Sequence, residues 1–301
     1  MKRITKFALT IAVVLFASNV FAQSFGEVFN GANELAQAGQ KVEAAAQFTQ
    51  ALKLAIAAGE EGDEVATQCK EIIPLLLNQA AGEKAKQNDI AGASEIYNQL
   101  KSFGEEFELA EVVEKAHASL NQLKMIEGDN ALNAKNYAEA VVLYNKVLEA
   151  DPNNANALSR IGMAESAAGN ADKAVAAFTK AKALGYADAD AQIGNVYTNQ
   201  LKKAVNAKDY TAALKAAEKT IEVAPNNTAY MYGGIAAYNL KNYTKAINLL
   251  KNAEPNANVN YYLAQSYEKA GNKAQACAYY RKLTGDAKFG AFAKQKVAAC
   301  K

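Results

Sequence analysis

One histidine, His117, and three cysteines, Cys69, Cys277 and Cys300, are the side chains of this 301-residue sequence best suited to general-base or nucleophilic work near neutral pH. A histidine–cysteine pair would need a thiol beside His117 in space, and nothing in the sequence brings one there. His117 reads as a helix-surface or packing residue. No P-loop, no G-x-S-x-G and no H-E-x-x-H occurs. The stretch DPNNAN from Asp151 to Asn156 slightly resembles a calcium loop, but it lacks the glycine and the terminal glutamate. It reads as a turn followed by a helix cap. Asn226-Asn227-Thr228 and Asn242-Tyr243-Thr244 match a glycosylation acceptor pattern, yet they stand where turn residues are needed. The sequence therefore predicts no enzyme, no cofactor and no metal site. Three cysteines are not a disulfide framework. Cys277 and Cys300 are a possible disulfide if the chain is exported, and two unpaired helical thiols otherwise.

The bulk composition favours helix. Half of the residues are apolar, 21% are charged, four are proline and none is tryptophan. The N-terminus has its own character. Lys2, Arg3 and Lys6 precede an apolar run from Phe7 to Phe21, and Ala22 follows. Residues 1–22 read as a secretory signal peptide cut after Ala22. The run is roughly 15 residues, short of the roughly 20 that a spanning helix needs, which disfavours an uncleaved anchor. Cleavage would remove three cations and take the formal charge from +2 to −1. A near-neutral chain without a lysine or arginine block points away from nucleic acid and anionic membrane as the main partner. The expected location is exported: periplasmic, envelope-associated or secreted, with no transmembrane segment after cleavage.

The remainder repeats. NAKNYAEAVVLYNKVLEADPNN (Asn133 to Asn154) and NAKDYTAALKAAEKTIEVAPNN (Asn206 to Asn227) share 10 of 22 positions. Equivalent alanines are Ala44, Ala93, Ala140, Ala174, Ala213, Ala246 and Ala276. Four of the six steps between them lie near 34 residues. Four positions after each comes a bulky residue, except at Ala217; seven positions after comes another apolar one, except at Thr220. Spacing of 0, 4 and 7 is one face of a helix. Twelve positions before most of them comes a small residue: Ala32, Ala81, Gly128, Gly162, Gly234 or Ala264. Turn chemistry precedes each helix, with Asn136, Asp209 and Asn242 placed to cap. Each unit is then two helices and a tight turn, with the bulky residue expected to fill the groove toward the neighbouring unit.

These residues resemble the tetratricopeptide repeat, most clearly at Ile161 to Ala181 and Tyr261 to Leu283. The resemblance implies an all-α helix–turn–helix solenoid, a right-handed superhelix with a C-terminal capping helix. It is loose over 23–120, where the steps are 49 and 47 and helices are lengthened or added, and regular over 121–285. Residues 286–301 form the cap. Gly194 lies 19 residues before Ala213 where 12 is usual, so the first helix of that unit is expected to be long and to project. A concave groove binding a partner protein or peptide segment is implied as well. Projected onto this sequence, its lining is Asn156, Arg160, Met163, Asn195, Asn199, Lys202, Met231, Tyr232, Ile235, Tyr238, Tyr261, Tyr262 and Gln265. Tyr230 and Tyr267 are expected to pack between helices instead. The family's carboxylate-gripping groove is matched only by Arg160, Asn199 and Lys202, and that activity is not carried over. The function expected is a non-catalytic interaction scaffold; a glycan-binding module or an envelope assembly factor is the alternative.

Overall fold

The computed structural model describes residues 20–300, with side chains from residue 25 onward. The predicted leader thus lies largely outside the described residues. Among those residues there are helices and turns and no strand. The chain divides into two compact units after Glu127. The first holds α1 (Val20–Gln37), α2 (Lys41–Ala57), α3 (Asp63–Lys86), α4 (Ile90–Glu106) and most of α5 (Ala110–Asn133). The second begins in the last turns of α5. It continues through α6 (Tyr137–Ala150), α7 (Ala155–Ala167), α8 (Ala171–Ala183), α9 (Ala189–Asn206) and α10 (Tyr210–Val223). It ends with α11 (Asn227–Asn239), α12 (Tyr243–Leu250), α13 (Ala257–Lys269), α14 (Lys273–Lys282) and α15 (Gly290–Ala298). From α6 to α15 each helix packs on the next, as do α1 to α4. The long steps of the first unit come from lengthening: α3 and α5 have 24 residues each.

The repeat register is visible in burial. All seven register alanines are buried, as are the residues four and seven positions after each. The bulky residue four positions on reaches toward the neighbouring unit, as the sequence suggested: Phe178 shares a cluster with Ile193 and Val196 of α9, and Leu250 with Val259 and Leu263 of α13. It also sits on the small residue of the preceding helix in its own pair. A Cβ placed on Gly128 would lie 2.5 Å from the ring of Tyr144, one on Gly162 2.7 Å from Phe178, and one on Gly234 2.5 Å from Leu250. The spacing is 16 residues in each case. Close approach of two helices leaves room for one large group at this crossing, so size is partitioned between the two positions. The exception keeps the rule with the roles exchanged. Leu201 and Ala217, also 16 apart, are both fully buried in one cluster with Ala213.

The long helix α9 does not project. Its first two turns are packed: Ala189 is fully buried, and Ile193 and Val196 join Ala174 and Phe178 in a shared cluster. Gly194 lies against Ala224, at the end of α10. Seven added residues keep the apolar stripe nearly in phase, ~20° of drift, so the extension finds partners on both sides.

The turns share one device. In the turns that lead into α2, α4, α6, α8, α10, α12 and α14 the residue before the N-cap position takes a left-handed conformation: Gly39, Gly169 and Gly271 in some, Asn88, Lys135, Lys208 and Lys241 in others. Asp209 and Asn242 then accept a backbone N–H from Ala212 and Lys245. Asn136, predicted to cap, does not; its amide donates to Glu139 instead. Asn226 and Asn242, heads of the two acceptor-like triplets, are both helix caps. Asn154 of the calcium-like stretch caps α7.

Two expectations follow, read as urea midpoints. Gly162→Ala should destabilise by ~1–3 kcal/mol through overpacking, whereas Gly82→Ala, with nothing within 4 Å of the added carbon, should stabilise by up to ~1 kcal/mol through helix propensity. Lys241→Gly should stabilise by roughly 1 kcal/mol by removing a left-handed strained side chain. Equal signs for the two glycine changes would show the register to be wrong.

Candidate binding surface

The first helices of successive pairs in the second unit, α9, α11 and α13, touch one another as well as their partners. Their contacts join the layer. Asn226 donates to the hydroxyl of Thr198 at 3.3 Å. Asn256, at the start of α13, has its amide 3.7 Å from the Met231 sulfur. Tyr238 meets Tyr262 edge to face, with ring centroids 5.3 Å apart, and Tyr262 meets Tyr261 in the same way. The ring chain then leaves the predicted lining. Tyr261 stacks on Phe289 at 4.5 Å and 18°, and Phe292 contacts both Tyr261 and Tyr280. Each such pair contributes about 0.5–1.5 kcal/mol beyond its buried area. Phe289 and Phe292 were not singled out from the sequence. Two aromatics three residues apart in FGAF share a helix face, and that was the available signal.

Beneath the rings runs a polar chain. Tyr238 donates to the carbonyl oxygen of Gln265, and the Gln265 amide donates to the Tyr280 hydroxyl at 2.9 Å. Tyr280 donates to Glu268 at 2.5 Å, and Lys296 of α15 donates to the other oxygen of Glu268 at 2.6 Å. Burial, aided by its bond to Glu268, pushes the Tyr280 phenol up. Burial also tends to raise Glu268, but the bonds from Lys296 and Tyr280 outweigh it and hold the carboxyl below its ordinary range. Gln265 is thus a buried node with its amide engaged, 8% exposed, and not a groove-facing group.

The predicted lining sorts into three sets. Asn156, Asn195, Asn199 and Lys202 are exposed, and Tyr232 is half-buried; none has a hydrogen-bonding partner among the described residues. Arg160 is engaged: it pairs with Asp129 at 3.2 Å, and Asp129 also accepts from Tyr144 at 2.7 Å. Met163, Met231, Ile235, Tyr238, Tyr261 and Tyr262 are half-buried, with Ile235, Met231 and Tyr262 packed against the terminal cluster. Tyr267 is buried and Tyr230 packs on the same cluster.

Cys277 and Cys300 are joined as a disulfide, with Cα atoms 6.1 Å apart, tying the end of α15 to α14. Cys69 is buried, and burial pushes its thiol up to about 12. His117 is exposed on α5. Among the described residues no group of three or more potential metal ligands occurs, and no helix is long and apolar enough to cross a membrane.

Stacked helix pairs with small residues at the crossings define a helical-repeat protein. Two family models, both described as tetratricopeptide repeat, match residues 127–191 with 199–254 and residues 259–286. The chain is a tetratricopeptide-repeat protein. It is 30% identical over 116 residues, 38% of its length, to the small glutamine-rich tetratricopeptide repeat-containing protein 2 of Mycosarcoma maydis, of whose length it spans 31%. Among solved structures it is similar to the MamA protein, with 22% identity, 57% of this chain and 94% of that chain covered and a TM-score of 0.38. It is also similar to YrrB, described as a tetratricopeptide-repeat protein with an unusual peptide-binding site: 19% identity, 57% and 91% covered, TM-score 0.36.

A folded-state carboxyl held below its ordinary range stabilises above that range and loses the contribution as pH falls through the lowered value. The urea midpoint of Glu268→Gln should therefore lie below that of the wild type at pH 7 and converge on it as pH falls below the ordinary carboxylate range. The Cys69 thiol should be silent to a thiol reagent in native protein and appear as one equivalent in denaturant.

Proposed function

We propose that the chain is a non-catalytic scaffold that holds an extended segment of a partner protein along α7, α9, α11 and α13. The single observation that carries this reading is the set of partnerless polar groups on one face. Asn156, Asn195 and Asn199 stand exposed with their amides unused, and Tyr232 lies on the neighbouring helix with its hydroxyl free. An asparagine amide offers a peptide backbone one acceptor and one donor group, and a tyrosine adds contact area at small entropic cost. The ring chain from Tyr238 to Phe289 serves as a rigid floor beside them. Stacking of Tyr261 on Phe289 occupies one ring face, which weighs against a glycan as the ligand.

We also propose that the chain is exported. The basic and apolar character of residues 1–22 supports it, and a disulfide near the C-terminus suits an oxidising compartment. Sequencing the N-terminus of the protein recovered from its host tests this; a chain still beginning at Met1 in the cytosolic fraction would sink it.

The groove reading predicts that Asn195→Ala, Asn199→Ala and Tyr232→Phe combined leave the melting temperature within ~2 °C, since the two asparagines are exposed and the third change keeps the packed ring, and abolish recovery of the partner that wild-type protein cross-links in its host. Retention of the same partner by the triple variant would refute it. Tyr261→Ala is unsuited to this purpose, because it also unseats Phe289.

A further inference from the structure

The chain as a whole is nearly neutral, but its two units are not. Residues 20–127 carry 17 Asp and Glu against 8 Lys, a net −9; residues 128–301 carry 22 Lys and Arg against 14 Asp and Glu, a net +8. The imbalance is localised on each side. In the second unit a cleft of about 360 Å³ between α8, α9 and α10 is lined by Lys203, Lys215 and Lys219, with Asp172 its one carboxylate. None of the three lysines has an ion-pair partner among the described residues; Lys219 lies over the Tyr197 ring. In the first unit the α2–α3 and α4–α5 connections stand at the same end, joined by the Lys53–Glu106 pair at 2.7 Å. In and beside these connections Glu60, Asp63, Glu64, Glu105, Glu108 and Glu111 are exposed, with Glu105 paired to Lys101 and Glu111 to Lys115 on their own helices.

We propose that the cleft between α8, α9 and α10 is a docking surface for the acidic end of the first unit of a second copy of this chain. Charge complementarity selects this occupant: the chain itself supplies an anionic surface of opposite sign to the lysines of the cleft. The contact joins unlike surfaces, so it is heterologous, and repetition generates head-to-tail assemblies, closed or open according to the rotation between copies. Salt weakens it, because the charges are exposed and the Debye length contracts from ~30 Å at 0.01 M to ~3 Å at 1 M.

Light scattering on size-exclusion fractions at about 100 µM protein tests the proposal. In 20 mM salt the mass should exceed that of one chain and rise with concentration; in 500 mM salt it should fall to the monomer. Lys203→Gln/Lys215→Gln/Lys219→Gln and Glu60→Gln/Glu108→Gln/Glu111→Gln alter exposed side chains apart from the half-buried Lys219, and circular dichroism should show both variants folded. Each alone should stay monomeric in 20 mM salt. An equimolar mixture should form a heterodimer and nothing larger, because one intact cleft then meets one intact acidic end. A wild-type monomer at low salt, an assembly that survives 500 mM salt, or assembly unchanged in both variants would overturn the proposal. So would a monomer that captures poly-L-glutamate through the three lysines, which would assign the cleft to a foreign acidic chain.

Discussion

The crossing of two helices at a single small residue is the constraint on which the rest of this structure depends. Where Gly128, Gly162 and Gly234 lack a Cβ, the ring of Tyr144, the ring of Phe178 and the side chain of Leu250 occupy the vacated space. An interior packed to crystal density has room for one large group at such a point. Either helix can supply it. Leu201 with Ala217 shows the large group moved to the first helix and the small one to the second. What is held constant is the sum of sizes at the crossing, and from it follow the close approach of each pair, the burial of the register alanines and the phase of every following helix.

The turns serve that constraint at a local cost. A two-helix unit needs a reversal of few residues, and a left-handed residue followed by a cap supplies it. Glycine meets the demand without strain. Lys135, Lys208 and Lys241 meet it with strain that the packing on either side sustains. The C-terminal end closes differently. Its aromatic chain, its polar relay from Tyr238 to Lys296 and the Cys277–Cys300 bond all converge on α15. An array of pairs exposes an apolar face at each end, and here three kinds of interaction hold one short helix over it.

Function in such an array resides in what the packing leaves over. Side chains with internal partners, such as Arg160 on Asp129 and Gln265 between two tyrosines, have their bonding capacity spent. Those without partners, the asparagines of α7 and α9 and the lysines of the α8–α10 cleft, keep it. The two sets differ in chemistry: neutral amides match a peptide backbone, while ammonium groups match carboxylates.

Recurrence of small and bulky residues at fixed spacing determined the helix pairs and their register, because helical periodicity is a property of the backbone and is written into the order of residues. The same order left the destination of each side chain open. That Gln265 is buried, that Tyr261 lies against Phe289, that α9 is packed along its extension and that Asn136 leaves its cap unmade were all decided by tertiary structure. The first three depend on groups 15 or more residues away; in the last, the Asn136 amide N–H donates to Glu139 while its oxygen accepts no backbone N–H. The charge division was present in the sequence throughout, but only the boundary at Glu127 gave it a meaning. A sum over the whole chain cancels two large opposite terms, and the fold determines where one term ends and the other begins.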